Sequence, residues 1–184
     1  MADLAGGKTA YFGFTGLIEP ATVTRICAAL NSAINTSCDE VHLSFSSLGG
    51  TVADGIYLYN HIRGLPLKVT AYNVGSVSSI AVTVFVAAEE RYCSAHAMFM
   101  VHPTAFPSLA GMSAERLQSA LKAALADDLR TENILRERTG LPNRVLRARK
   151  IGDVHITPQE AVRYGLVNGV REFSLPRGYQ IFQI

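Results

Sequence analysis

The sequence predicts a single α/β domain built on a mostly parallel sheet. Three observations carry that expectation. Short β-branched and aromatic runs alternate with amphipathic helical stripes along the chain. A length of 184 residues fits one domain with a full core. No internal repeat, low-complexity stretch or linker interrupts the alternation.

Tyr11-Phe12-Gly13-Phe14 reads as the first strand. Pro20 suits the first position of a helix, and Val23, Ile26, Cys27, Leu30 and Ile34 follow at helical spacing. Val41 to Phe45 alternates as a strand. Val52 to Arg63 is a helix with Ile56, Tyr59 and Ile62 on one side, and Leu67 to Val74 is a strand. Ser79 to Ala88 reads as a short buried helix, with strand as the competitor because of its β-branched residues. Arg91-Tyr92-Cys93 and Ala97 to His102 are further strands.

A long helix follows, capped by Ser113, with Glu115 in its first turn and Gly140 as its stop. Leu117, Leu121, Leu125 and Leu129 repeat along it. At 1.5 Å per residue it runs to roughly 40 Å, about a domain diameter, so it is expected to project or to pack between subunits. Thr157-Pro158-Gln159-Glu160 is a capping box with proline at the first helical position, and Gly165 ends that helix. Leu166 to Phe173 reads as a last strand, followed by a tail from Ser174 to Ile184.

Composition narrows the function classes. Charged residues make up 17% of the chain, below the usual quarter, which fits surface covered by other subunits or, alternatively, a well-buried monomer. A net charge of +2 gives no argument for nucleic acid, and the cluster Arg144, Arg147, Arg149 and Lys150 reads as a solvated helix face. Cys27, Cys38 and Cys93 are odd in number and lack C-x-x-C spacing, so neither a disulfide framework nor a zinc site is indicated. Cys27 is expected as a buried free thiol, in keeping with a reducing compartment. Met1 to Gly16 carries no signal-peptide pattern, and the longest apolar run, Ile80 to Ala88, is too short to span a bilayer. A cytoplasmic protein with no membrane partner is expected.

Three segments carry candidate chemistry: Ser47-Leu48-Gly49-Gly50, Gly75-Ser76-Val77-Ser78-Ser79-Ile80 and Met98-Phe99-Met100-Val101-His102-Pro103. Each lies where a predicted strand ends, and such ends converge on one crevice of an α/β sheet. A serine heading a helix has N–H groups aimed at a developing oxyanion, but it needs a base to take its proton. Ser79 fits that position, with the Ile80 N–H as one oxyanion donor and Gly50 as the source of a second, since glycine lets backbone approach a ligand. His102 is the candidate base and Asp153 the candidate that orients it. Taken singly, each is more often structural: a cap serine, a rim histidine, a turn aspartate. His42, His61 and His96 weaken any argument from residue type alone, and His155, two residues from Asp153, is open for either role. The G-x-S-x-G elbow of α/β-hydrolases is absent.

Order and spacing add a resemblance. The chain resembles the Clp protease proteolytic subunit, a serine peptidase of the Clp/crotonase fold, over roughly residues 10–170. Ser47-Leu48-Gly49-Gly50 is similar to its S-P-G-G, and Gly75 to Ile80 to its G-x-A-A-S-M. Met100-Val101-His102-Pro103 is similar to its M-I-H-Q-P. Asp153 through Val167 is similar to its D-x-F-L-S-A-x-E-A-x-x-Y-G-L-V, and Thr139-Gly140 matches a T-G. The resemblance implies one domain over 1–184, repeated ββα units, and a long projecting handle-like helix that joins heptameric rings into a chamber. It implies Ser79 as nucleophile, His102 as base, Asp153 rather than His155 as third member, and Gly50 and Ile80 as the oxyanion hole. No metal and no cofactor is implied.

The sequence also departs from the family pattern. Leu48 stands in place of proline, Ile80 in place of methionine, and no glutamine separates His102 from Pro103. The span between Ser79 and His102 is about two residues short of the family's. Thr104 to Gly111 replaces a glycine-rich handle strand, and Ile151-Gly152 replaces an acidic residue and arginine that couple rings. About nine residues precede the first strand, fewer than the family's axial loop requires. The last three departures bear on the double ring and on docking to an unfoldase ATPase, not on the triad. The expected function is a serine endopeptidase acting on peptides or unfolded proteins, with the substrate as an added strand beside Gly49-Gly50. The alternatives are an inactive or regulatory Clp-like subunit and a crotonase-fold acyl-CoA enzyme.

Overall fold

A computed structural model describes residues 7–106 and 111–184. The expected substitute for the handle strand, Thr104 to Gly111, therefore falls partly outside the described residues, as do the first six positions. In chain order the elements are β1 (Thr9–Thr15), α1 (Pro20–Asn35), β2 (Glu40–Ser47), α2 (Val52–Gly64), β3 (Lys68–Ser78), α3 (Ile80–Phe85) and β4 (Glu90–Cys93). They continue with β5 (Met98–Val101), α4 (Ala114–Arg138), α5 (Asn143–Ala148), β6 (Val154–Ile156), α6 (Pro158–Arg163), β7 (Gly169–Val170) and β8 (Ile181–Gln183).

The strands form one sheet in the order β6-β5-β3-β2-β1-β8, with β4 and β7 branching from β3. Every pairing is parallel except β5 with β6. The α/β class with a mostly parallel sheet is therefore as the sequence predicts.

β3 is longer than its apolar pattern suggests. Its first half pairs with β4 through Asn73 and its last residues, Ser76 to Ser78, pair with β5. Asn73 marks the change of neighbour: its side chain donates to the Met98 carbonyl at 2.9 Å and accepts from Gly75 N at 3.0 Å. The β2–β3 register shifts over the same stretch. The nucleophile candidate thus sits at the end of the extended β3.

All of α3 is buried. Its β-branched residues favour strand in isolation, but burial, with its own Phe85 packed against Phe45 and Phe99, outweighs that small propensity. α4 has the expected Ser113 cap, accepting from Arg116 N, and α6 has its reciprocal Thr157–Glu160 box. A buried arginine fastens the C-terminal helices to the sheet. Arg91 donates from Nε to the Leu166 carbonyl at 2.9 Å and from its terminal nitrogens to the carbonyls of Ala88, Arg138 and Gly165. Burial, with Arg138 and Arg63 nearby, pulls its pKa down to about 10.

Four expectations need correction. The stretch predicted as one strand from Leu166 to Phe173 is strand only at Gly169–Val170, because α6 ends in a turn that brings the chain alongside β4. The tail holds β8, added in parallel to β1, where an edge strand offered free backbone groups. The basic cluster is not a uniformly solvated face: α5 turns Arg149 inward, 3% exposed, while Arg144, Arg147 and Lys150 stay outside. Cys27 is half-buried rather than fully buried, although it is a free thiol packed against the core.

Candidate active site

Ser79 caps the N-terminus of α3 with φ 58° and ψ −134°, a conformation that L-residues seldom adopt. Two strands hold it there. β3 delivers it directly, and its own N–H donates to the Met100 carbonyl of β5 at 2.8 Å. β5 also carries the partner: two residues after Met100, on the same face, His102 reaches Ser79 Oγ with Nε2 at 2.7 Å. Both side chains are half-buried.

The glycine pair after β2 closes the other side. Gly49, at φ +102°, backs onto the nucleophile: a Cβ there would lie 2.6 Å from Ser79 Cβ and 2.9 Å from the Ser78 carbonyl. Gly50 presses against the Ile18 backbone, where any side chain would strike the Ile18 carbonyl. Ile18 N donates to Gly49 O and Thr51 N to Ile18 O, both at 2.8 Å. This bridge leaves the Gly50 N–H without an acceptor among the described residues. The Ile80 N–H is likewise unpaired among them, as the first helical residue of α3. Two unused N–H donors therefore flank Ser79. Gly55 of α2 packs on the Ile80 side chain and holds α3 against α2.

Asp153 makes no hydrogen bond to this pair among the described residues. β6 runs antiparallel to β5 with Val154 opposite Val101, so continuing the register one step sets Asp153 across from His102. It is exposed, and among the described residues the His102 side chain is bonded to Ser79 alone. His155 pairs with Met100 and is exposed. His42 lies on the sheet face, bonded to Tyr72 Oη at 3.0 Å. His61 is part of α2 and His96 is exposed, so neither belongs to this centre.

A cavity of about 280 Å³ opens beside Ser79 and His102. Its mouth carries Leu48 and Gly50, both exposed, and its deep end carries the buried Thr83, Thr131, Leu135 and Arg149, with Asp128 beside them. Asp128 Oδ1 accepts from Thr104 N at 2.7 Å and Thr104 Oγ1 at 2.8 Å, fixing the segment just beyond His102. Arg149 donates to the Asp128 carbonyl at 3.1 Å and to Thr131 Oγ1 at 3.0 Å. Burial lowers its pKa, and Asp128 and Glu132 oppose that shift.

The family model of the Clp protease matches residues 12–173. This chain belongs to the Clp protease family. Among curated relatives, the ATP-dependent Clp protease proteolytic subunit 2 of Pseudomonas aeruginosa is 28% identical over 170 residues, covering 88% of this chain and 83% of that protein. The ATP-dependent Clp protease proteolytic subunit of Paracoccus denitrificans is 28% identical over 157 residues, covering 84% of this chain and 78% of its own length. Among solved structures, a point mutant of ClpP1 from Listeria monocytogenes superposes with a TM-score of 0.77 at 22% identity, over 90% of this chain and 92% of that one. The fold described above is thus the Clp protease fold.

Sequence reasoning singled out Ser79, His102, Gly50 and Ile80, and the fold gathers these four in one place. It missed Gly49 as a contact of the nucleophile, and it missed Thr83, Asp128, Thr131 and Arg149. No sequence pattern marks these last four, because they reach the cavity from three separate helical segments. Among the described residues no cluster of His, Cys, Asp and Glu is close enough to hold a metal ion, and no helix is long and apolar enough to cross a membrane.

Proposed function

We propose that this Clp protease family member is a serine endopeptidase in which Ser79 is the nucleophile and His102 its base. The 2.7 Å contact between Ser79 Oγ and His102 Nε2 carries the reading. Ser79 Oγ attacks the peptide carbonyl carbon as Nε2 takes its proton. The oxyanion settles on the Gly50 and Ile80 N–H groups, and the proton then passes to the leaving amine. Water repeats the sequence on the acyl-enzyme. Asp153, across from His102 one step beyond the last β5–β6 pair, orients the imidazole once its carboxylate turns toward the ring. Because the Ile18 bridge occupies Gly49 O and Thr51 N, the outward edge at Gly50 is open to an extended peptide, in the manner of an added strand. The machinery uses neither metal nor cofactor.

The assembly reading rests on α4. Leu121, Leu125 and Leu129 are 57%, 59% and 60% exposed along one stripe, and water-exposed leucine in that density calls for a partner helix. Copies of this chain packed in a ring, enclosing Ser79 in a chamber, would cover it. The relatives are named as ATP-dependent, so an unfoldase ATPase is the candidate feeder of unfolded protein to that chamber.

A fluorophosphonate probe tests the nucleophile. It labels the wild type and leaves Ser79→Ala unlabelled; equal labelling of the two would sink the assignment. The lack of an Asp153–His102 hydrogen bond among the described residues favours one second reading, an inactive or regulatory subunit of a mixed assembly. Absence of both labelling and peptide cleavage in the purified protein would support it.

A further inference from the structure

We infer that the cavity beside Ser79 receives the substrate side chain on the acyl side of the scissile bond, and that it selects an uncharged hydrogen-bonding side chain, glutamine before asparagine, over an aliphatic one. The inference rests on the peptidase reading above. The lining of the cavity carries it.

The stem of an entering side chain meets apolar surface at Ile80 and Leu135. Its far end meets polar groups with unused capacity. Asp128 spends Oδ1 on Thr104, and its Oδ2 accepts nothing among the described residues. The Arg149 guanidinium lies 3.7 Å from Oδ1 through Nη2, and its Nη1 makes no hydrogen bond among the described residues. Thr83, 2% exposed, makes no side-chain hydrogen bond among the described residues. The deep end therefore offers a free anionic acceptor, an incompletely satisfied cation and a hydroxyl within about 280 Å³.

A carboxamide satisfies this set, because its NH2 donates to Asp128 and its oxygen accepts from Arg149 or Thr83. A carboxylate would meet Asp128 and an ammonium would meet Arg149, each at close range to a like charge. An aliphatic end would strip water from Asp128, Arg149 and Thr83 and return no hydrogen bond. Glutamine exceeds asparagine because its extra methylene spans the apolar part. A site built to hydrogen-bond its substrate discriminates strongly against analogues that cannot, so a preference of at least about tenfold is expected.

The test uses the full chain and fluorogenic peptides that differ only in the residue before the cleaved bond: glutamine, asparagine, leucine, glutamate or lysine. Glutamine is expected to give a kcat/KM at least about tenfold above leucine, glutamate and lysine. Thr83→Val keeps the shape and removes the hydroxyl, and Arg149→Met removes the cation. Each should shrink the glutamine-to-leucine ratio. Should Arg149→Met fail to fold, Thr83→Val carries the test alone. Fluorophosphonate labelling runs in parallel, because the probe lacks that side chain. Labelling of Ser79 with leucine cleaved as fast as glutamine overturns this inference and leaves the peptidase reading standing. Absence of labelling overturns both.

Discussion

Replacing Gly49 by alanine adds one methyl group against the nucleophile. The new Cβ would stand 2.6 Å from Ser79 Cβ and 3.2 Å from Ser79 Oγ. Carbon atoms prefer roughly 3.5–4.0 Å, so Ser79 or the 47–50 segment must move by about 1 Å. A displacement of about 1 Å at a reacting atom lowers rate by roughly a hundredfold, or about 2.7 kcal/mol of activation energy. Alanine at φ +102° is strained as well. Backbone strain and overpacking together cost about 2–4 kcal/mol of stability. For a chain of this size that corresponds to a fall in Tm of about 4–16 °C. The assay pairs the fluorophosphonate labelling rate with thermal unfolding. Gly64→Ala is the control, since a Cβ at the end of α2 meets nothing within 4 Å. It should label at the wild-type rate and unfold at the same temperature or slightly above. Labelling of Gly49→Ala within about twofold of wild type would refute the reasoning, whatever its Tm, because the clash would then have been absorbed away from Ser79.

Further outcomes follow from other parts of the structure. Asp153→Asn should cut peptide hydrolysis by about a hundredfold or more while the Tm holds, since Asp153 is exposed and in the proposed mechanism orients His102; unchanged turnover would remove it from the mechanism. Asp128→Asn should weaken the anchor on Thr104 and lower kcat by about tenfold, with recovery in the Glu variant absent because the longer side chain cannot repeat both 2.7 and 2.8 Å contacts. Leu121→Asp with Leu125→Asp should shift the proposed assembly toward smaller species in sedimentation velocity; an unaltered profile would show that the α4 stripe is not the contact. Burial holds the His42 imidazole below its ordinary value, with Glu40 opposing. Protonation is thus disfavoured in the fold, so the stability tied to neutral His42 is complete above its unfolded pKa, about 6.5, and is lost as pH falls below it. Tm should drop between about pH 7.5 and 5.5 less steeply in His42→Phe than in wild type, and equal slopes would discount His42.

Much of this protein is local and therefore legible. Pro20, Ser113 and the Thr157–Glu160 box set helix starts through contacts within a few residues, and the sequence alone placed them. The alternation of strands and helices pointed to the α/β class for the same reason. The elements it missed are short and depend on distant partners. β6 exists because β5 offers an antiparallel edge, and β8 because β1 offers a parallel one. α5 hides in a basic cluster whose one buried member, Arg149, is picked out only by where Asp128 and Thr131 stand.

The candidate site divides along the same line. Sequence determined its residue types and their order: a serine before a short apolar run, a histidine at a strand end, a glycine pair after another strand. Tertiary structure decided what those residues can do. It set Oγ at 2.7 Å from Nε2, left the Gly50 and Ile80 donors unpaired among the described residues, and left Asp153 exposed across from His102 with no hydrogen bond to it among those residues. It also assembled the cavity from Thr83, Asp128, Thr131 and Arg149. The physical reason is range. Capping and periodicity act between residues a few positions apart, whereas a reacting distance or a pocket lining depends on atoms brought together by packing of segments tens of residues apart.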